Sequence, residues 1–320
     1  MVDVDSHPVA SALVIANPKA GGVSAELVAE LVSLCRRHIA APRVHWTSRA
    51  GEATVVAGEA VAHRFDVVIA VGGDGTVREV VEGLLAAGAG DELPALLIVP
   101  AGTGNSSYLA QWGDLPWRSA VPAALSRDGS RRCLLDLARL VELNELVLLG
   151  ACSGVIADAL VAARSVAVGG RERYRIALAR TAAEFVPYPG RVTVDGNVVH
   201  VGTTVLANVG GGRHRGGTYQ VLPHSVLDDG LLDVCVIGGE ISPSDVPELT
   251  RSGGHIGATG VVYARGRRIT VARIDGEPLS FEHDGELCTG SATSMTLDVL
   301  PGVLPVLCRA DMPALAGSCR

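Results

Sequence analysis

Ahead of residue 106 the chain three times runs a short apolar stretch directly into a glycine-bearing loop, and that repeated junction constrains the fold more than any other feature. Ala12-Leu13-Val14-Ile15-Ala16 enters Asn17-Pro18-Lys19-Ala20-Gly21-Gly22, and Val67-Val68-Ile69-Ala70-Val71 enters Gly72-Gly73-Asp74-Gly75-Thr76. Ala95-Leu96-Leu97-Ile98-Val99-Pro100 enters Ala101-Gly102-Thr103-Gly104-Asn105. Runs this uniformly apolar read as strands of a parallel sheet covered on both faces. After the second loop Val77, Val80, Val81 and Leu84 recur at helical spacing. A strand that stops on glycines and restarts as a helix presents bare backbone N–H groups at a helix N-terminus, where hydrogen bonds and the helix dipole favour a phosphate. Three such loops can converge on the carboxyl edge of one sheet, the usual ligand crevice of open α/β folds.

No common phosphate motif accounts for these loops. A GxxxxGK[ST] loop is absent, and the middle loop lacks GxGxxG spacing. Asp74 places a carboxylate inside a loop suited to anions, so either a divalent cation lies between the two or Asp74 holds the loop by hydrogen bonds. For a single loop the plain alternative is a tight strand-to-helix turn with Asp74 as an N-cap. Three together favour a nucleotide site.

At 320 residues, 48% hydrophobic and 19% charged, the chain has the composition of one or two globular domains with a substantial core. A net charge of −7 argues against nucleic acid as a partner, because duplex binding needs a basic face to neutralise phosphates. Lys19 is the only lysine and reads either as a phosphate-facing ammonium or as the residue of a lysine-poor composition. Seven scattered cysteines without CxxC spacing suit a reducing cytoplasm better than a disulfide framework or a zinc site. The acidic start of the chain lacks a signal-peptide pattern. The nearest approach to a membrane span, residues 146–163, is interrupted by Gly150, Ser153, Gly154 and Asp158 and reads as a core strand running into a core helix.

Through about residue 130 strand, loop and helix alternate, with helices over 25–37 and 77–87 and a short strand at Arg43-Val44-His45-Trp46-Thr47, which predicts a parallel sheet wrapped by helices. The polar stretch 126–132 reads as a linker. Beyond it Arg191-Val192-Thr193-Val194 and Asn197-Val198-Val199-His200-Val201 flank Asp195-Gly196, a hairpin signal, and further strands read over 203–209, 231–237, 268–274 and 294–300. One helix, 171–185, sets Tyr174, Leu178, Thr181 and Phe185 on one face and Arg171, Arg173, Arg175 and Arg180 elsewhere. It either lies on an anionic membrane surface or packs on its own sheet with a solvated arginine face.

At these positions the chain resembles the diacylglycerol kinase and sphingosine kinase superfamily, above all its soluble bacterial lipid kinases. Residues 17–22 are similar to that family's NPxSG, 72–83 (GGDGTVREVVEG) to its GGDGTxNEVxNG, and 100–110 (PAGTGNSSYLA) to its PxGTxNDFA. The likeness continues through 206–217, 223–236 and Asp284-Gly285-Glu286, so it covers nearly the whole chain in the family's order. GGDGT alone is shared with NAD kinases; the ordered set is specific.

The resemblance implies an α/β + β architecture. A doubly wound parallel-sheet nucleotide domain of the NAD kinase and phosphofructokinase type would span 1–132, and a β-sandwich substrate and metal domain 133–305, with the cleft between them. A C-terminal tail, 306–320, would be able to return to the first domain. The implied activity is ATP- and Mg2+-dependent phosphoryl transfer to the hydroxyl of a diacylglycerol-like or sphingoid-like lipid. The implied setting is a cytoplasmic enzyme without a transmembrane segment, in peripheral contact with the inner face of a membrane, and a homodimer is compatible with it. By the same resemblance Asn17, Thr47, Gly72, Gly73, Asp74, Gly75, Thr76, Gly102, Thr103 and Asn105 line the ATP site, although Thr47 also reads as an ordinary helix N-terminal hydroxyl.

Asp284 and Glu286 flank a glycine, which lets one carboxylate point into a cleft while the other braces the turn; alone, the triplet is most often a hairpin turn. With the family match Glu286 is the general base, and Asp284 orients the loop or binds the catalytic Mg2+. Asp74 competes for the base role, as the resemblance to sphingosine kinases implies. Residues 226–231 are similar to a structural Mg2+ site of bacterial diacylglycerol kinases, whose ligands map to the Asp229 side chain and the carbonyls of Val226 and Leu231. Hard oxygen donors suit this ion, and a plain DDG turn is the alternative.

Two departures stand out: Ser106 replaces an Asp of the bacterial diacylglycerol kinases, and Arg78 replaces a usual Asn. Sphingosine kinases have a small residue at the former, so catalysis need not fail, but the acceptor stays open. NAD kinase is the alternative enzyme, with Asn144-Glu145 similar to its dinucleotide-gripping pair. Against it, Gly154-Val155-Ile156-Ala157-Asp158-Ala159 is similar to the lipid kinases' GxGxDA. The third class, a silent nucleotide- or lipid-binding regulator, is opposed by the intact Asp74, Asp229 and Glu286.

Overall fold

In the computed structural model, whose described residues are 9–126 and 129–312, the strand-to-loop junctions open a run of alternating elements. The acidic start, positions 127 and 128 of the polar stretch, and 313–320 with Cys319 lie outside the described residues. In chain order come β1 (Ala12–Ala16), α1 (Ala25–Cys35), β2 (Arg43–Trp46), α2 (Glu52–Ala62), β3 (Val67–Gly72), α3 (Asp74–Ala87), β4 (Ala95–Pro100), α4 (Ser106–Trp112) and α5 (Trp117–Ser126). Strand β1 pairs in parallel with β2 and β3, and β3 with β4, giving the order β2-β1-β3-β4. Every residue of β1 and β3 is buried, the consequence of helices packed on both faces, α1 with α5 and α2 with α3. Helix α1 starts at Ser24, whose hydroxyl accepts the Leu27 N–H at 3.2 Å, and buries Val28, Leu31 and Cys35. Helix α3 buries Val77, Val80, Val81 and Leu84, the stripe its periodicity predicts.

Two compact units result, one ending at Asp136 and resuming at Gly302, the other spanning Leu137–Pro301. Their limits differ from 132/133 and 305/306 because β5 (Ser130–Leu140) runs through the first limit and a long final strand through the second. The second unit adds β6 (Glu145–Val147), β7 (Ala151–Gly154), α6 (Val155–Ala163), α7 (Gly170–Glu184), β8 (Tyr188–Val194), β9 (Asn197–Gly210) and β10 (Leu232–Gly238). It continues with α8 (Val246–Arg251), β11 (Val261–Gly266), β12 (Arg268–Arg273), β13 (Phe281–His283), β14 (Glu286–Leu287) and β15 (Ser294–Arg309).

Strand β9 carries two arms of one hydrogen-bonded sheet. Its first half pairs antiparallel with β8, which leads to β12 and β15; its second half lies between β7 and β10, with β13 and β14 beyond β7 and β11 beyond β10. The apolar layer of this sandwich includes Val192, Val209, Val234, Ile269, Phe281 and Leu297. Asp195 and Gly196 form the β8–β9 turn with φ of 48° and 82°, the left-handed pair that a two-residue hairpin of type I′ requires. Helix α7 packs through Ala177, Leu178 and Ala182, the last two in one cluster with Leu206 and Ile237 of the sheet, while Tyr174 is 48% exposed. Alanines on that face let α7 lie close to α6, so the apolar stripe runs beside the one that the larger side chains outline.

From Gly302 onward β15 belongs to the first unit, where Val306 pairs in parallel with Leu96 beyond β4. There the buried Trp112 indole donates to the Leu307 carbonyl at 3.1 Å, and the Gly302 N–H donates to Asp136 at 2.7 Å. No helix among the described residues is long and apolar enough to cross a membrane. The described cysteines are free thiols.

Candidate active site

The three glycine-bearing loops of the first unit are tied to one another through their backbones. The Asn17 N–H donates to Val71 O at 3.1 Å, its side-chain amide donates to the Thr76 hydroxyl at 2.9 Å, and its Oδ1 accepts the Lys19 N–H at 3.0 Å. Gly22 donates to Ala101 O at 3.0 Å, and Ala101 donates to Gly72 O at 2.8 Å. Thr47 is buried, with its N–H and hydroxyl donating to Ala16 O at 2.9 and 3.4 Å. A Cβ built on Gly102 would lie 2.3 Å from Gly73 Cα, so the second and third loops touch backbone to backbone as only glycine allows. Asn105, left-handed at φ 55°, grips Gly102 with both ends of its amide at 2.9 and 3.0 Å. Helix α3 begins without a side-chain cap because its N-cap is Gly73, and a Cβ built on Gly75 or Gly21 would meet open space. Uncapped first-turn N–H groups beside such space are what a phosphate needs.

Asp74 turns its carboxylate toward the third loop. Oδ2 accepts the Ser106 N–H at 3.1 Å, and Oδ1 accepts the Ser107 N–H and hydroxyl at 3.1 and 3.0 Å. Of the two roles open to it, holding the loops is therefore the one its geometry realises. It caps α4 and not its own helix, and the engagement of both oxygens weakens its candidacy as general base. Ser106, the departure at the family's Asp position, is buried and supplies a backbone donor to this cap.

Within the second unit Asp284 and Gly285 form the turn between β13 and β14, with φ of 50° and 86°. The Asp284 side chain is 4% exposed. Its oxygens accept the N–H groups of Leu148, Leu149 and Gly150 at 2.8, 2.7 and 3.3 Å. Burial alone would raise its pKa, but its interaction with the neighbouring His283 and the backbone donors outweigh burial and hold it below the ordinary carboxylate range. Asp284 thus orients the turn and has little left to offer a Mg2+ ion. Beneath it lie groups that sequence motifs did not mark. Glu282, 2% exposed, accepts the Gly285 N–H at 2.9 Å and the Cys152 thiol at 2.8 Å and pairs with the buried Arg215, which also donates to Gly150 O at 2.9 Å. Arg215 falls inside the family-like stretch 206–217, and that likeness was the only available signal. Glu286, by contrast, is exposed and lines a cavity of about 340 Å³ with Arg164, Arg173 and Tyr174.

Asn144 and Glu145 fall in the β5–β6 hairpin. Asn144 is left-handed at φ 55° and accepts from Arg139 at 2.6 Å, and Glu145 lies 2.7 Å from His283 Nε2, so both side chains are engaged within their own unit.

The third segment, 226–231, does not fit Mg2+ as the resemblance implies. Asp229 Oδ1 accepts the Leu231 N–H at 3.1 Å, an Asx turn, while Oδ2 is held by the Arg265 guanidinium. A cationic side chain already stands at the carboxylate that would anchor the ion among the Val226 and Leu231 carbonyls. No group of three or more His, Cys, Asp or Glu able to hold a metal occurs among the described residues.

Residues 11–130 match the diacylglycerol kinase catalytic domain, and residues 151–308 match the YegS C-terminal NAD kinase beta sandwich-like domain. The chain is 30% identical over 284 residues to a "Probable lipid kinase YegS-like" protein of Pseudomonas savastanoi pv. phaseolicola, covering 85% of this chain and 86% of that one. It is 34% identical over 180 residues to a diacylglycerol kinase of Mycobacterium tuberculosis, 55% of this chain and 56% of that one. The fold superposes on a crystal structure of a Bacillus anthracis diacylglycerol kinase with a TM-score of 0.69 at 20% identity, over 95% of this chain and 98% of that one. With both domains matched in order and a relative aligned along most of its length, the chain belongs to the YegS-like lipid kinase family, built from a diacylglycerol kinase catalytic domain and a YegS-type β-sandwich.

Proposed function

We propose that the chain transfers the γ-phosphoryl group of ATP to the hydroxyl of a lipid acceptor, with Mg2+ required and Glu286 as the general base. The observation that carries this reading is the contrast among three carboxylates. Both oxygens of Asp74 and of Asp284 are turned onto backbone N–H groups of neighbouring loops, and the exposed acidic residue in the wall of a cavity large enough for a polar headgroup is Glu286. In this reading the uncapped start of α3 and the loops joined by Asn17, Gly102 and Asn105 hold the nucleotide phosphates. Held with the nucleotide mainly by its phosphates, Mg2+ would supply charge neutralisation at those loops. Glu286 takes the proton of the acceptor hydroxyl as its oxygen bonds to the γ-phosphorus and ADP departs. Asn17 and Asn105 fix the loops, and the Arg215–Glu282 pair holds the turn that carries Glu286.

Membrane contact belongs to the same proposal. At the α6–α7 end of the second unit Val161, Val168 and Tyr174 are 51%, 48% and 48% exposed, beside Arg164 and Arg173 of the Glu286 cavity. Exposed apolar side chains beside two arginines suit the interface of an anionic membrane, in a chain whose overall charge is −7.

The test is ATP consumption with diacylglycerol, a sphingoid base, another lipid alcohol, a small hydroxyl metabolite and NAD, with lipids in mixed micelles. Turnover with a lipid acceptor is expected, abolished by EDTA and restored by Mg2+. Turnover with NAD and none with any lipid would overturn the reading.

A further inference from the structure

Asp233 lies at the start of β10, four positions after Asp229, and in the β10–β11 register it stands opposite Arg265. The Arg265 guanidinium reaches both acids: Nε is 3.3 Å from Asp233 Oδ1, and a terminal nitrogen bonds Asp229 Oδ2. Asp229 Oδ1 is meanwhile closed by the Leu231 N–H. Asp233 is wholly buried; Tyr263 donates to its Oδ1 at 2.8 Å, and its Oδ2 has no hydrogen-bond partner. Two carboxylates held this close, one of them out of water, require a counter-charge. A guanidinium meets the need with a planar fork of fixed charge, whereas Mg2+ demands near-octahedral oxygen donors that these residues do not present.

We propose that Arg265 is the built-in cation of this segment: by bridging Asp229 and Asp233 it does in this chain what a structural Mg2+ would do at 226–231, so that the turn and the β10–β11 pair fold without metal. Every residue involved lies in the second unit, and nothing in the proposal depends on which group is the catalytic base.

The experiment is thermal unfolding of substrate-free protein in EDTA and in millimolar MgCl2 at matched ionic strength, for the wild type, Arg265→Met, Asp229→Asn and the double variant. The wild-type Tm is expected to be the same in both buffers. Arg265→Met should lower it by roughly 2–8 °C, the scale for leaving a partly buried acid unpaired in a unit of this size. Adding Asp229→Asn should recover part of that loss, since it removes the acid left without a partner. If Arg265→Met does not fold, Arg265→Lys keeps the charge without the fork and should give an intermediate Tm, still indifferent to Mg2+. A saturable rise of the wild-type Tm with Mg2+ that Asp229→Asn abolishes would overturn the proposal and restore a metal site. An Arg265→Met variant as stable as the wild type would overturn it as well.

Discussion

The Oδ1 atom of Asp74 accepts both the backbone N–H and the hydroxyl of Ser107, 33 residues further along the chain, at 3.1 and 3.0 Å. One carboxylate at the start of α3 thereby caps α4 and joins the second glycine-bearing loop to the third. An aspartate inside a phosphate loop needs no cation to be tolerated when its charge is turned onto another helix N-terminus.

Asp74→Asn should therefore act through loop position. The amide keeps one acceptor but turns an NH2 group toward N–H donors, so stability should fall by about 1 kcal/mol. Turnover should fall at least about a hundredfold, with ATP affinity weakened too. Ser107→Ala removes one of the donors and should move both quantities in the same direction by less. Steady-state kinetics and thermal unfolding of the two variants check this; wild-type kinetics for Asp74→Asn would take the residue out of the site.

Much of this was legible because local chemistry and global fold agree at the N-terminal loops. The run 67–71 reads as a covered strand, which Gly72 extends by one residue before Gly73 turns the chain into α3. Asp195-Gly196 likewise carries its hairpin in two residues. What the sequence hid are the relations between distant positions. Whether Asp74 faces a ligand or Ser107 depends on where the third loop lies, and no spacing rule supplies that. Arg215 and Glu282 are an ordinary arginine and glutamate until β13 and β7 pair and bury them together. Asp229 reads as a metal ligand until the β10–β11 register brings Arg265 opposite Asp233. For α7 the sequence left a membrane face and a packed face both open, because alanines carry almost no periodicity signal yet join Leu178 in its buried face.

Asp284 offers a pH test. Its folded pKa lies below the ordinary value near 3.9, so its contribution is complete above that value and fades as pH falls through the folded pKa. Asp284→Asn should cost about 2–3 kcal/mol at neutral pH, because an amide cannot accept all three N–H groups of 148–150. The stability gap between the variant and the wild type should close progressively below about pH 4. Denaturant unfolding at neutral and acidic pH measures it; a gap independent of pH would show that the charge is not what braces the turn.

The membrane surface at the α6–α7 end predicts a dependence on lipid presentation. Val168→Asp should weaken binding to anionic vesicles about tenfold or more, since it adds a charge to an apolar contact, while leaving thermal stability within about 0.5 kcal/mol because Val168 is already 48% exposed. Neutral vesicles should bind weakly whichever protein is used. Co-sedimentation with the two vesicle types separates the cases, and unchanged binding of Val168→Asp to anionic vesicles would leave this end of the unit to solvent.

Glu286 bears the chemical assignment. Its exposed position at the start of β14 means that Glu286→Gln should fold normally, and the nucleotide loops are elsewhere in the chain, so ATP affinity should be retained. Only the step that removes the acceptor proton should suffer, by ~10² to 10⁴ in kcat, with loss of the acidic limb of the pH profile. Arg215→Met tests the support from below: by leaving Glu282 buried without its partner it should loosen the turn, lowering both Tm and kcat, whereas Glu286→Gln lowers kcat alone. This pattern of two variants separates a base from a brace. If Glu286→Gln keeps near-normal turnover while Asp284→Asn is inactive at a pH where it remains folded, the proton goes to Asp284; if both remain active, the triplet is only a turn and Asp74 is the carboxylate left to carry the role.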